Sequence, residues 1–586
     1  MSDFIYSKNR IEKGKLTREI QKIYHDDKPL VQEYHGGWGS LAVSQNLYNG
    51  FHPYETKDYI FVVIGGPILS YRENEFLKEN RGNTGTKAIF SKWLKNDIVW
   101  DKDLSGPFAI FVINKKSFNV HIVTDLMSFI PVYIYQESDD MIVSTHVDIL
   151  ANVSKRINNI DVVSYADFIL HSVVTFPYTV YKGIYQINPA SEHDITYETN
   201  EINTHSYWGP TEEYRYNSIE DAAIELRENL QKYVKSITDN VDDIAQFISG
   251  GEDSRTLSAL LCGYPREAFI FLDSMNREGE VARKAANAYG ADFKLKTRTK
   301  THYINIIPEC SDLVGSGSQY HHAHTFGFHK SCKLINYSAV FGGLFADALL
   351  KGARITKIRG SKRFPFIPDI KDPNHSSCDT ANSSILIPEI LNELTKRRVA
   401  HLSYVKSFRN ESAEEWFELW PSSMNMNIPN LHANRRLFRS YEPFMANDIV
   451  KLSAAIPQEW KLNRKLFHRA VKPLLKPTKW LLHGDGRLPY FTWRINTIVQ
   501  FIIWASRQVG KRTGLIKGNQ GPWGEWRKVL KSKDWERTIE KYSSGFDEIS
   551  SVFREKDINK IMNKSNLSIF QKLNLMQSLY QVSNKD

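Results

Sequence analysis

The sequence predicts a mixed α/β protein of two large domains with a helical end. Short β-branched and aromatic runs, separated by turn residues, fill the first 210 residues. From about residue 218, strands alternate with helical stretches, the signature of a parallel sheet covered on both faces. After about residue 385 the apolar spacing is helical to the end. With 586 residues, 41% hydrophobic and 24% charged, the chain can bury sizeable cores and is not disordered in bulk.

In the first part, Ile60 to Ile64, Phe108 to Ile113, Val120 to Val123 and Pro131 to Tyr135 read as strands. Asn114 to Phe118 joins two of them as a hairpin. In the second part a helix from Ser218 to Thr238 leads into a strand at Ile244 to Ile248. A glycine turn follows, then a helix at Arg255 to Leu261 and a strand at Ala268 to Leu272. Glu278 to Tyr289 is helical, and Ser338 to Phe341 is a further short strand. The expected domains are 1–210 and 218–490, with a basic helical extension over 491–586.

Lys+Arg 76 against Asp+Glu 66 gives +10, a mild excess. It suits a phosphate-handling enzyme or a protein that visits anionic surfaces, and it is too weak for a dedicated nucleic-acid binder. From Phe491 onward there are 17 basic and 9 acidic residues. The first residues lack a basic segment followed by an apolar one, and no uncharged apolar run is long enough to span a bilayer. Four cysteines without a CxxC pair argue against a disulfide scaffold and a zinc ribbon. The expectation is a reduced, cytoplasmic protein without a transmembrane segment.

Phe247-Ile248-Ser249-Gly250-Gly251-Glu252-Asp253-Ser254-Arg255 carries the chemistry. A strand ends, two glycines turn the chain, and a helix begins. Backbone N–H groups can then point inward as an anion nest, reinforced by the positive end of the helix dipole. The hydroxyls of Ser249 and Ser254 add donors, and Arg255 is expected on the phosphates or solvating the first turn. The segment is neither a Walker A loop nor a GxGxxG fingerprint. A plain glycine-rich strand-to-helix turn also accounts for the two glycines alone.

Ser-Gly-Gly-x-Asp-Ser after the first strand of a parallel sheet resembles the pyrophosphate loop of N-type ATP pyrophosphatases. In wider context the chain resembles the asparagine synthetase-like amidotransferases. Phe341-Gly342-Gly343-Leu344-Phe345-Ala346-Asp347-Ala348-Leu349-Leu350-Lys351-Gly352 is similar to that family's G-E-G-[SA]-D-E-[LI]-F-G-G element. Glu442-Pro443-Phe444-Met445, Ile456-Pro457 and Lys465-Leu466-Phe467-His468-Arg469 track its "R-x-PFLD … IP … KxxxR" run. The resemblance implies ATP on Ser249, Gly250, Gly251, Asp253, Ser254, Arg255 and Gly343, and Mg²⁺ on Asp253 and Asp347. It makes Arg487 the candidate for the departing pyrophosphate.

Leu104 to Ala109, Thr124-Asp125-Leu126, Pro131-Val132-Tyr133, Ser144-Thr145-His146, Tyr181 to Ile184 and Tyr207-Trp208 resemble the skeleton of class-II glutaminase domains. That implies an αββα N-terminal-nucleophile fold ahead of a doubly wound adenine-nucleotide α-hydrolase-like domain. Working members need Cys after Met removal, its own amine serving as base. Here residue 2 is Ser, roughly 30 residues precede the first recognisable strand, and Gly65-Gly66-Pro67 stands where an Asn-Gly oxyanion element belongs. The glutaminase half is expected to be silent.

Three departures fall inside the synthetase half. Leu344 replaces a Glu that serves amidation, Ala348 replaces an acid, and Arg439 and Tyr441 rebuild the segment before Pro443-Phe444. They argue against ordinary aspartate amidation. With Leu344 in place of that Glu, Tyr441 and His321 to His324 are weak candidates to supply the base. The implied reaction joins a small-molecule or peptide carboxylate to ammonia or an amine, with ATP giving AMP and pyrophosphate and no nucleic acid involved. Alternatives are a catalytically dead binding partner or a true glutamine-hydrolysing asparagine synthetase; a homodimer is left open. His321, His322, His324 and His329 lack a Cys or carboxylate at ligand spacing, so they are expected in a surface loop near the substrate pocket. Trp523 to Lys528 with Trp535 reads as a helical packing surface, with a partner or membrane-surface contact as the alternative.

Overall fold

A computed structural model describes residues 3–79, 82–358, 360, 364–373, 378, 383–514, 519–563 and 567–584. The first 206 residues build two six-stranded antiparallel sheets. One runs Ile184–Gln186, Tyr133–Glu137, Asp140–Ser144, Phe4–Ser7, Gly39–Ser44, Val31–Gly36 from edge to edge. The other runs Ile202–Ser206, Ser191–Ile195, Val120–Thr124, Phe108–Asn114, Tyr59–Gly65, Tyr54–Glu55. Alternate residues of each strand meet between the sheets: Phe4, Tyr6, Leu41 and Val43 from one, Ile60, Val62, Ala109, Phe111 and Ile122 from the other. The opposite faces are also apolar, so helices cover them. Lys15–Lys22, Val147–Val153 and Val162–His171 lie on the first sheet, and Thr84–Trp93 lies on the second. The result is the αββα layering.

The expected strands and hairpin of this half form, but the strand Phe4–Ser7 was not anticipated. It pairs with both Asp140–Ser144 and Gly39–Ser44 at the middle of its sheet. The first strand therefore lies well before the segment where the sequence suggests one. Its four residues are all buried, so no polar alternation marks them as a strand.

The helix Ile219–Thr238 opens the second half, capped by the Ser218 hydroxyl, which accepts the Asp221 N–H at 3.1 Å. A five-stranded sheet follows, all parallel, in the order Asp292–Thr297, Arg266–Leu272, Ile244–Phe247, Ala339–Phe341, Ser440–Tyr441. The strand order reverses beside Ile244–Phe247. Ligand sites of such sheets lie outside the carboxyl ends at that switch point.

The last hundred residues are helical, as expected, and they are built into the body of the molecule. Helix Ile569–Ser583, closed by a capping box of Ser568 and Gln571, packs on helix Val162–His171 of the first half. Asn574 Nδ2 donates to the Phe168 carbonyl at 3.0 Å. Among the described residues no helix is long and apolar enough to cross a membrane.

Candidate active site

Ser249, Gly250 and Gly251 leave the carboxyl end of Ile244–Phe247, and helix Glu252–Leu260 begins at once. The serine hydroxyls brace the turn. Ser254 Oγ accepts the Ser249 N–H and Ser249 Oγ accepts the Gly251 N–H, both at 3.0 Å. The Gly250 N–H donates to Glu278 Oε1 at 2.7 Å. A Cβ on Gly250 would lie 2.8 Å from the same carboxylate, so a side chain there would force it aside. The turn thus does hold an anion on its backbone, supplied by the protein itself.

The second motif comes up against the first. A Cβ on Gly343 would meet Asp253 Cβ at 3.4 Å. Asp253 and Asp347 are joined through Lys351, whose Nζ donates to Asp253 at 2.6 and 2.7 Å and lies 2.5 Å from Asp347 Oδ1. Burial works against the ammonium, but Asp253, Asp347 and Glu252 outweigh it and raise its proton affinity above the ordinary value. Asp253 moves up to about 7, chiefly through burial; Lys351 opposes this shift and the neighbouring acids add to it. Two carboxylates sharing an ammonium do not fit a divalent ion between them. Lys351 thus stands as a cation between Asp253 and Asp347, where the resemblance implies Mg²⁺.

Arg255 also departs from expectation. It is fully buried, and its guanidinium is taken up by backbone carbonyls. Its Nη2 donates to the carbonyls of Gly250 at 3.0 Å and Leu482 at 2.6 Å, and its Nη1 to Leu481 at 2.8 Å. It ties the 481–482 segment to the turn. That tie brings in Arg487, which donates from Nε to Asp485 at 2.6 Å and from Nη1 to Glu252 at 3.4 Å. Glu252 is buried 2.8 Å from Arg464 as well. Burial would raise its carboxyl, yet Arg487, Lys351 and Arg464 prevail and hold it well below the usual carboxylate range. Arg487 therefore stands beside the loop.

A cavity of about 250 Å³ opens at the carboxyl ends of these strands, lined by Ile248, Phe271, Arg298, His324, Glu442 and Trp523 among others. Its walls are largely apolar, and its polar groups (Arg298, His324, Asn434 and Glu442 among them) converge from separate segments. Glu442 heads the Glu442-Pro443-Phe444-Met445 segment, from which the sequence assigns it no role, and it is the most informative member. Its carboxylate accepts the Leu344 N–H at 3.0 Å and the Ser440 hydroxyl at 2.9 Å. A Cβ on Gly342 would lie 2.3 Å from it. Burial pushes this acid up to about 7. A carboxylate thus stands against the backbone of Leu344, the residue that lacks one. The only signal in the sequence was an acid placed directly after a short strand.

Other candidates are placed differently. Tyr441 packs inward on Tyr48, ring centroids 5.4 Å apart, and Arg439 donates to the carbonyls of Ile335 and Tyr337. The histidines are not in a surface loop. His321 and His322 are buried among Trp523, Trp526 and Phe570, and only His324 reaches the cavity wall. Among the described residues no cluster of three or more metal-ligating side chains is found.

In the first half, Ser2 lies outside the described residues. Its neighbour Asp3 is fully buried against the helix Ile428–Leu437 of the second half. Arg436 reaches it at 2.7 and 2.8 Å and Arg435 at 3.0 Å, while the Thr145 hydroxyl donates to it at 2.9 Å.

Residues 32–208 match the glutamine amidotransferase domain family. Asparagine synthetase [glutamine-hydrolyzing] 3 of Bacillus subtilis is 25% identical over 275 residues, 43% of this chain and 42% of that protein. A second relative, named as asparagine synthetase [glutamine-hydrolyzing] 2 of Methanocaldococcus jannaschii, is 24% identical over 229 residues, 38% of this chain and 44% of its own. The matched region spans less than half of either relative. Among solved structures, glutamine phosphoribosylpyrophosphate amidotransferase from B. subtilis covers 50% of this chain and 65% of its own at 10% identity. Its TM-score is 0.24, too low to bear on the reading. The chain is thus related to the asparagine synthetase-like amidotransferases and carries their glutamine amidotransferase domain.

Proposed function

We propose that this chain is an ATP-dependent ligase that joins a carboxylate to ammonia or an amine, with its glutaminase half silent. The observation that carries the reading is one convergence. The Ser249–Asp253 turn, Asp347, Lys351 and Arg487 meet beside the Glu442 cavity, at the switch point of a parallel sheet.

In this reading the substrate carboxylate attacks the α-phosphorus of ATP, and the α–β bond breaks to release pyrophosphate. The amine then attacks the acyl-adenylate carbonyl, AMP leaves with the bonding pair, and an amide forms. Lys351, Arg487 and the helix N-terminus offset the charge gathering on the departing phosphates. Glu442, whose affinity for a proton is tuned to near neutrality, takes the proton lost by the incoming nitrogen. Lys351 and Leu344 both depart from the resembled motif, which supports an acceptor other than aspartate. Small-molecule or peptide carboxylates are the substrate class.

Silence of the glutaminase half rests on Ser at position 2, where the resembled domains need Cys. Exchange of labelled pyrophosphate into ATP, across amino acids, uronic acids and peptide mixtures, tests the ligase reading. A carboxylate-dependent signal is expected, with no glutamate released from glutamine. The Glu278 carboxylate on the Gly250 N–H favours a second reading, a binding partner without turnover. Nucleotide binding without exchange for any carboxylate would select it.

A further inference from the structure

The helix Trp493–Arg512 is turned inside out. The side chains it buries include the polar Asn496 and Gln500. Asn496 exchanges hydrogen bonds of 2.7 and 3.0 Å with the backbone of Leu488, just beyond Arg487. The large apolar side chains it exposes are Ile495 at 46%, Ile498 at 66%, Phe501 at 51%, Ile502 at 59% and Val509 at 59%, of which Phe501 rests against Phe366. At about 100° per residue, Ile495, Ile498, Ile502 and Val509 fall within one arc of roughly 60°, opposite Asn496 and Gln500. Single exposed apolar residues are ordinary, whereas a contiguous row over four turns marks a contact surface.

Charge decides what the surface meets. The helix contains no Asp or Glu, and it carries Arg494, Arg507, Lys511 and Arg512. Arg494 and Arg512 are exposed at its two ends, each about 70° from the middle of the apolar row. Beside its start, Trp480 is 71% exposed, packs tilted against Phe491 with ring centroids 5.1 Å apart and carries Lys479 over its ring. The same row has the spacing of a coiled-coil seam, so a second copy is the competing occupant. Pairing two copies would bring arginines of one sign together in either orientation. An anionic surface pairs them with opposite charge, and long basic side chains at both ends can snorkel toward headgroups.

We propose that Trp493–Arg512 docks this protein onto an anionic lipid bilayer, lying in the interface with Ile498 and Ile502 pointing into the acyl boundary. Contact is peripheral and depends on both the apolar row and the flanking arginines.

The test is flotation of the full chain with vesicles of phosphatidylcholine containing about one-third phosphatidylglycerol, against phosphatidylcholine alone. Flotation is expected with the first and not the second, weakening as salt rises. Ile498→Glu with Ile502→Glu should lower the bound fraction about tenfold, with the circular dichroism unchanged because both side chains are exposed. Arg494→Gln with Arg512→Gln should flatten the salt dependence. Absence of flotation, or flotation indifferent to the glutamates, overturns the proposal. So does a dimer by light scattering that the same glutamates split, which would give the row to a second copy.

Discussion

Lys351 donates to both carboxylate oxygens of Asp253, from a position where the resembled motif carries glycine. An ammonium on a flexible stem thus occupies the ground between Asp253 of the loop and Asp347 of that motif. Lys351→Met should lower pyrophosphate exchange about 100-fold, roughly 3 kcal/mol of transition-state stabilisation. Lys351→Gly leaves the acids facing each other without a cation, and it should gain a Mn²⁺ site that the parent lacks. Loss of the free-ion paramagnetic resonance signal reads this without any turnover. Normal exchange in the Met variant would remove Lys351 from the site.

Arg255 makes three bonds to backbone carbonyls, and a lysine cannot span them. Arg255→Lys is expected to cost about 2–4 kcal/mol of stability, seen as a lower Tm. The nucleotide affinity of the folded fraction should change little. A large loss of ATP affinity with an unchanged Tm would return this residue to the phosphates.

Glu442 has its proton affinity raised from 4.5 to about 7 by burial. Folding therefore favours its neutral form. The associated stability is fully present below about pH 4.5 and is lost as pH rises through 7, a swing on the order of 3 kcal/mol. Glu442→Gln should abolish that part of the pH dependence in urea melts. It should also depress amide formation far more than pyrophosphate exchange, because only the second step releases the amine proton. Equal loss of both would make Glu442 a merely structural acid.

Asp3 follows the opposite sign. Arg436 and Arg435 outweigh its burial and hold it far below its ordinary 3.8. Its stabilising contribution is present above that value and is lost as pH falls below it. Asp3→Ala leaves two arginines buried without their acid and should cost about 3–5 kcal/mol at pH 7. Denaturant midpoints at pH 7 and near pH 3 check both statements. A variant as stable as the parent at pH 7 would show that these arginines find other partners.

The loop and its strands were legible because their determinants are local. Two glycines, a serine cap and alternating strands and helices fall within about 60 residues around Gly250. What was not legible depended on distant partners. Arg255 reads as a phosphate ligand until the carbonyls of Leu481 and Leu482 arrive, 226 and 227 residues later. Glu442 is 98 residues from the Leu344 amide it faces, and no period connects them. The histidine cluster reads as surface from its polarity, whereas Trp523, Trp526 and Phe570 bury it. Strand Phe4–Ser7 went unseen because every one of its residues is covered, by chain that comes after it.

The seating of Ile569–Ser583 on Val162–His171 sets a clock. Asn574 meets the Phe168 carbonyl across 406 residues. At ribosomal speeds of about 5–20 residues per second, the apolar face around Phe168 waits roughly 20–80 s for its cover. For that interval a nascent chain with its first two sheets already formed offers an open hydrophobic surface. A longer wait, from slower translation of the stretch between the two helices, should therefore lower the folded yield without changing the finished protein's stability.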